Sequence, residues 1–157
     1  MKFVDTKVVF REVPDEVALA INISGCPVHC PGCHSDYLTR DIGTVLDRQA
    51  IDSLVRENPG ISCVSFMGGD ADPSYVAGLC DYVHSAFPGM KTCWYSGRGL
   101  EQARPVLPRL DYVKVGPYVE EYGPLDSPLT NQRFYKISQT PEGPELDDIT
   151  ERFRLKI

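Results

Sequence analysis

Apolar and polar positions change their period along the chain, and the changes predict strands and helices in alternation. The β-branched runs at 7–10 and 17–23 flank VPDE, whose proline and aspartate suit a turn, so a hairpin is predicted at the start. Helices are predicted at 47–57, 73–86 and 99–104. Further strands are predicted at 61–67, 91–96, 111–115 and, as the last of them, 133–137. The pattern therefore indicates an α/β fold.

The order of these elements also predicts how the sheet is built. Strands that alternate with helices form a mostly parallel sheet through right-handed crossovers, and such sheets bind their ligands outside the carboxyl ends of the strands. A chain of 157 residues suits one domain, which we expect to span 1–157. Functional residues are accordingly expected in the segments that follow the strands.

Charge and composition narrow the classes of partner. The formal net charge of −6 disfavours a nucleic-acid partner, because phosphate binding needs a basic surface. The opening residues lack the pattern of a signal peptide, and no apolar run reaches the ~20 residues of a membrane span, so neither a membrane nor secretion is expected. We expect a cytoplasmic location, where clustered cysteines are more often metal ligands than disulfides.

Three of the six cysteines have the spacing C-x3-C-x2-C, at Cys26, Cys30 and Cys33. The prolines and glycines between them prevent a helix, so the motif is predicted to lie on a loop after the second strand. Thiolates select zinc, copper(I) or iron-sulfur clusters over hard cations. The motif is therefore a candidate metal site.

Two kinds of metal site fit three thiolates. A structural zinc ion would need a fourth ligand, from His29 or His34, whereas a 4Fe-4S cubane held by three cysteines keeps one iron open to a ligand. The remaining cysteines fall in apolar strand or helix patterns and are predicted to be small buried side chains. They are Cys63, Cys80 and Cys93.

A glycine pair and an acid follow the strand predicted at 61–67. Gly68 and Gly69 allow a ligand to approach the backbone, and Asp70 places a carboxylate beside it, which suits an ammonium group. The alternative is a simple turn in which Asp70 or Asp72 caps the next helix.

The strand predicted at 91–96 ends in a similar way. Ser96 and Gly97 are able to contact a ribose or a carboxylate, although an ordinary turn explains them as well. The long loop 116–132 mixes aromatic, acidic and amide groups, and loops of that length tend to be functional, but a merely connecting loop is the alternative. For the tail 149–157 the sequence leaves two interpretations, a closing strand and a docking segment.

These segments in this order resemble the radical S-adenosylmethionine superfamily, in which C-x3-C-x2-C after one strand is followed by a glycine pair with an acid after the next. Within it, the segments CPGCHS, MGGDADP, WYSG and TNQRF are similar to the activating proteins of anaerobic ribonucleoside-triphosphate reductases. The resemblance implies an incomplete β/α barrel of the radical SAM type. It also implies two cofactors, a 4Fe-4S cluster and S-adenosylmethionine.

Roles for particular residues follow from the same resemblance. The metal ligands would be Cys26, Cys30 and Cys33. The residues that receive the methionine ammonium would be Gly68, Gly69 and Asp70. Those along the cofactor would be Gly32, Cys33 and His34, and those near its sugar would be Ser96 and Gly97.

The implied activity is reductive cleavage of S-adenosylmethionine to a 5′-deoxyadenosyl radical, which generates a glycyl radical on anaerobic ribonucleoside-triphosphate reductase. A flavodoxin-like protein would donate the electron, and no further catalytic residue is implied, because the cofactors supply the chemistry. Two alternatives are a radical enzyme acting on another glycyl-radical enzyme or a small molecule, and a zinc-stapled binding module. Gly32 departs from the aromatic residue that many members place there, and Asp70 stands where most have glutamate.

Overall fold

A computed structural model of the chain describes residues 1–33 and 35–154. In these ranges eight strands form one sheet, namely β1 (Lys2–Val9), β2 (Ala18–Ile23), β3 (Thr44–Val45), β4 (Cys63–Met67), β5 (Lys91–Tyr95), β6 (Tyr112–Val115), β7 (Arg133–Thr140) and β8 (Gly143–Asp148). The α-helices are α1 (Arg48–Glu57), α2 (Pro73–Ala86) and α3 (Leu100–Ala103). Short 3-10 helices cover Asp36–Thr39, Leu107–Arg109 and Thr150–Arg154.

The sheet has the order β3-β1-β2-β4-β5-β6-β7-β8. Its central strands β2, β4, β5 and β6 run parallel to one another. The helices α1, α2 and α3 lie in the connections between these strands. The carboxyl ends of the four strands therefore meet at one edge of the sheet, and the segments that follow them are neighbours in space.

The expectation of a mostly parallel sheet is wrong for the sheet as a whole, because four of its seven strand pairings are antiparallel. β1 pairs with β2, β7 with β6, and β8 with β7 in this sense, and the connections that join them contain no crossover helix of the kind a parallel pair needs. The partial barrel implied by the resemblance stays a prediction.

The sequence pattern predicted the strand at 133–137 to be the last one, and this prediction is wrong. β7 extends to Thr140 and turns at once into β8, whose sequence GPELDD has no alternation of apolar residues. β8 is held by backbone pairing to β7, from Tyr135 opposite Asp148 to Thr140 opposite Gly143. Its pairing partner, and not its own pattern, makes it a strand.

Aspartate side chains fix the starts of the two longer helices. The Asp47 carboxylate accepts a hydrogen bond from the backbone N–H of Ala50 at 2.9 Å, and the Asp72 carboxylate accepts one from Tyr75 at 3.1 Å. Pro73 occupies the first turn of α2, where no N–H is needed. No helix within the two described ranges is both long enough and apolar enough to cross a membrane.

Apolar residues cover both faces of the sheet. The helices pack on one face, over buried side chains that include Phe66 and Trp94. On the other face, Phe153 of the last 3-10 helix packs against Phe134, with ring centroids 5.0 Å apart. Residues 150–154 form a 3-10 helix, so the alternative of a closing strand in this segment is wrong. The Thr150 hydroxyl accepts the N–H of Phe134, and the sheet pairing ends there. Residues 155–157 lie outside the described residues.

Candidate metal centre

The three spaced cysteines lie on a loop that follows β2 and is fastened to the chain beyond it. The backbone N–H of Gly25 donates to the carbonyl of Arg40 at 3.0 Å, and that of Cys26 donates to Leu38 at 2.9 Å. Within the loop, the N–H of Cys33 donates to the carbonyl of Cys30 at 3.1 Å. The loop is thus held at its start and closed by a turn at its end.

A residue of left-handed conformation precedes each cysteine. Gly25 has φ +74°, His29 has φ +51° and Gly32 has φ +75°. Glycine adopts this conformation at no steric cost, and histidine is among the few other residues enriched in it. Left-handed residues placed between others turn backbone N–H groups toward one side, an arrangement found at anion and iron-sulfur sites.

All three thiols are chemically available as ligands. Cys26, Cys30 and Cys33 are free and partly exposed. Among residues 1–33 and 35–154, no three His, Cys, Asp or Glu side chains gather closely enough to hold one metal ion. A cubane makes a different demand, because each cysteine ligates a different iron atom.

The glycine pair after β4 is tied into the sheet by its backbone. The N–H of Gly68 donates to the carbonyl of Tyr95, and its carbonyl accepts a hydrogen bond from the indole N–H of Trp94 at 2.7 Å. A Cβ at Gly69 would lie 2.6 Å from Cγ2 of Val76. Both glycines have positive φ, so a sharp turn at this point brings Asp70 back toward β5.

Asp70 does not cap the helix that follows it, since Asp72 does so. The Asp70 carboxylate is buried and accepts two hydrogen bonds, from the Ser96 hydroxyl at 2.5 Å and from the Gly97 N–H at 2.9 Å. The Ser96 hydroxyl oxygen in turn accepts the N–H of Arg98 at 3.0 Å. The two segments that follow β4 and β5 therefore form one polar unit.

The same unit contacts the cysteine loop. A Cβ at Gly97 would lie 3.1 Å from Cγ2 of Val28, tighter than an ordinary contact, so Gly97 packs closely against that side chain. On another side of the loop, a Cβ at Gly32 would lie 3.5 Å from Cε1 of Tyr118 and 3.3 Å from Oε2 of Glu120. The loop is enclosed between the end of β5 and the long loop 116–132.

Lys114 is a functional candidate that the sequence interpretation missed. It lies on β6, is 8% exposed, and donates hydrogen bonds to the carbonyls of Ser96 at 3.1 Å and Gly116 at 2.8 Å. Burial lowers the pKa of Lys114 to about 8, against the opposing influence of Asp70 and the three thiols of the loop. Its ammonium group is thus the positive counterpart of the Asp70 carboxylate.

A cavity of about 680 Å³ joins these groups at the carboxyl ends of the parallel strands. The candidate residues that line it are Cys26, Cys33, Gly68, Asp70, Ser96 and Gly97. Lys114 lines it too, whereas Cys30, Gly32 and Gly69 do not. His34 lies outside the described residues. The structure therefore brings two of the three spaced thiols to the same cavity as the buried acid.

A family model described as the 4Fe-4S single cluster domain matches residues 17–135, more than half of the chain. The chain belongs to this family. The matched range runs from the start of β2 to the first residues of β7 and includes the cysteine loop. It supports an iron-sulfur protein with a 4Fe-4S cluster. No curated protein and no solved structure matches the chain.

The residues of the cysteine loop fit such a cluster. The donor set is three free thiols, the soft ligands that iron-sulfur clusters take, on a loop with a left-handed residue before each of them. Two of these thiols border the cavity, so a cluster held there would face it.

Proposed function

We propose that this chain is a radical S-adenosylmethionine enzyme that generates a glycyl radical on an anaerobic ribonucleoside-triphosphate reductase. The observation behind the proposal is the single cavity that is bordered by Cys26 and Cys33 on one side and by Asp70 and Ser96 on another. Its volume of about 680 Å³ is within the ~300–1,000 Å³ of small-molecule sites. Membership of a 4Fe-4S family supports the metal half of the proposal.

Cys26, Cys30 and Cys33 would hold the cluster, each through one thiolate. With three protein ligands, one iron of the cubane stays open to a further ligand. When bound, the cluster would supply the electron that cleaves the sulfonium of S-adenosylmethionine, and the 5′-deoxyadenosyl radical released would take a hydrogen atom from a glycine of the reductase.

The charged residues of the cavity suit the amino-acid end of S-adenosylmethionine. Asp70 is held by Ser96 and Gly97 and offers a buried carboxylate to an ammonium group. Lys114 has a lowered pKa of about 8 and is still mainly protonated at neutral pH, so it offers a cation to a carboxylate. A buried acid and a buried base beside one cavity match a zwitterion.

The macromolecular partners are part of the proposal. The reductase is inferred from the segments CPGCHS, MGGDADP, WYSG and TNQRF together, and a flavodoxin-like protein is proposed as the electron donor. The loop 116–132 borders the cavity through Tyr118, Pro124, Leu125 and Asp126, so a partner that reaches the cavity would meet this loop.

The test begins with the chemistry of cleavage. The protein is purified without oxygen, reconstituted with iron and sulfide, reduced, and incubated with S-adenosylmethionine. We expect 5′-deoxyadenosine and methionine in the native protein, and neither product nor stable iron in Cys26→Ala, Cys30→Ala or Cys33→Ala. Cys80→Ala is the matched control, because Cys80 is buried in the core and should leave iron binding intact. A protein that holds one zinc ion and no sulfide would contradict the proposal.

The partner is tested separately. Anaerobic reductase is added to the reduced protein, and the electron paramagnetic resonance spectrum is examined for a glycyl radical on the reductase. If S-adenosylmethionine is cleaved but no such radical forms, the cleavage activity stands and the reductase is not the substrate. The substrate would then be another glycyl-radical enzyme or a small molecule.

A further inference from the structure

Gln132 is a buried polar residue whose side-chain amide makes no hydrogen bond within the described part of the chain. It is 6% exposed and lines the cavity described above. Its backbone N–H donates to the hydroxyl of Thr130 at 3.0 Å, but its side-chain amide makes no hydrogen bond to any residue in 1–33 or 35–154. The amide atoms are not sealed from solvent, so they open into the cavity and are available to a ligand there.

A second glutamine of the same region, the exposed Gln139, provides a contrast. Gln139, at the far end of β7, donates through Nε2 to the carbonyls of Leu107 at 2.9 Å and Leu110 at 3.0 Å. That amide binds the backbone of the segment that precedes β6, so it stabilises the fold. Gln132, at the cavity end, has no such structural use for its amide.

The backbone around Gln132 is built to place it. Gly116 follows β6 with φ +103°, and a Cβ there would lie 3.2 Å from the Cα of Gln132. The ammonium of Lys114 donates to the carbonyl of Gly116 at 2.8 Å, which fixes this close approach from inside. Because the same ammonium donates to the carbonyl of Ser96, the backbone beside Gln132 is linked to the end of β5.

The chemistry of the surrounding cavity selects the ligand group. An amide presents a donor and an acceptor side by side, which match the amino group and an adjacent ring nitrogen of adenine. Tyr118 lines the same cavity, beside Gly32 of the cysteine loop, and aromatic rings stack on nucleobases. The charged residues Asp70 and Lys114 suit the amino-acid end, and Gln132 and Tyr118 have the chemistry that suits the base.

We propose that Gln132 recognises the adenine of S-adenosylmethionine through its N6 amino group and a neighbouring ring nitrogen, with Tyr118 against the face of the ring. This inference rests on the proposed function and adds the residues that select the base.

The test is an equilibrium binding measurement on the anaerobically reconstituted protein, by isothermal titration calorimetry. The probes are S-adenosylhomocysteine and its 7-deaza and 1-deaza analogues, each of which lacks one ring nitrogen. In the native protein we expect one analogue to bind about tenfold more weakly than the parent. In Gln132→Leu the parent should weaken by a similar factor, and the difference between parent and analogue should vanish.

Two further variants make the result specific. Gln132→Glu keeps the shape but cannot donate a hydrogen bond, so it should also weaken the parent compound, and it serves if Gln132→Leu does not fold. Asn131→Ala is the matched control, because Asn131 is exposed and donates to the carbonyl of Pro117 outside the cavity lining. Folding of each variant is checked by circular dichroism.

The outcomes separate the inference from the function on which it rests. If the native protein binds S-adenosylhomocysteine but the analogue difference persists in Gln132→Leu, the inference is overturned and the proposed function stands. Equal binding of the parent by native protein and Gln132→Leu overturns it as well. If the native protein binds none of the three probes, the proposed function fails and the inference fails with it.

Discussion

The carboxylate of Asp70 accepts a hydrogen bond from the hydroxyl of Ser96, 26 residues later in the chain, at 2.5 Å. Both side chains are buried, and each lies just beyond the end of one of two neighbouring parallel strands, β4 and β5. The second carboxylate oxygen accepts the N–H of Gly97. A change at Asp70 should therefore affect two loops of the cavity at once.

Asp70→Asn should lower the free energy of unfolding by about 1–3 kcal/mol, because one acceptor oxygen is replaced by an NH2 group that faces a donor. Urea unfolding of the iron-free protein measures the change. Asp72→Asn is the control, since asparagine caps a helix about as well as aspartate. Equal losses in the two variants would show that Asp70 has no special place in the fold.

Gly69→Ala should destabilise the protein more than Gly60→Ala. Both glycines have positive φ, which costs about 1–2 kcal/mol for alanine, but only the new Cβ at Gly69 would meet a neighbour, Cγ2 of Val76 at 2.6 Å. Overpacking adds about 1–3 kcal/mol. Thermal unfolding of the two variants measures the difference. In a Val76→Ala background, Gly69→Ala should cost less by the overpacking part, and an equal cost in both backgrounds would contradict the contact with Val76.

Lys114 should make stability depend on pH in the alkaline range. Its pKa is about 8 in the folded chain and near 10.5 when unfolded, so between these values the unfolded state binds more protons and stability rises with pH. Below about pH 8 both states are charged and the rise is absent. The full gain is up to about 3 kcal/mol.

The measurement is urea unfolding of native protein and Lys114→Met at pH 7.5 and 9.5. The native protein should gain stability relative to Lys114→Met at the higher pH. Lys91→Met, an exposed lysine on β5, is the control and should follow the native protein. A native protein that loses stability relative to Lys114→Met would contradict the buried cation.

The six thiols should divide into two classes toward N-ethylmaleimide. Cys26, Cys30 and Cys33 are partly exposed and should react quickly in the iron-free protein. The other three are buried, and burial raises their pKa, to about 12 for Cys93. Mass spectrometry should therefore find three fast adducts.

Reconstitution with iron and sulfide should protect these three thiols together. A loaded protein in which one of them still reacts at its iron-free rate would remove that cysteine from the ligand set. Fast reaction at Cys63 or Cys80 would instead show that the core opens.

Much of the fold follows from patterns that report on local structure. Asp47 and Pro73 locate the starts of α1 and α2, because caps and prolines act within one turn. β8 could not be found, since its pairing with β7 is made by backbone groups that every residue has. The outer pairings are antiparallel because their connections contain no α-helix, whereas the alternation of strands and helices holds only for the central strands.

The candidate site divides in the same way. Glycines and an acid after a strand are visible in sequence, and the structure places Gly68, Asp70 and Ser96 beside the same cavity. Lys114 was missed because a lysine within DYVKV suits the exposed face of a strand. All four residues of β6 are buried, as expected of a central parallel strand covered on both faces, and that rule was the available signal.

The left-handed residues before Cys26, Cys30 and Cys33 make the loop sensitive to chirality. Positions 25 and 32 adopt a backbone that is favourable for a residue of opposite hand, and position 29 holds histidine, one of the few L residues enriched in this conformation. A semisynthetic chain with D-alanine at 25 should therefore keep the loop, where L-alanine strains it. The shape of the cysteine loop thus depends on the handedness of the residues at these three positions as well as on the cysteine spacing.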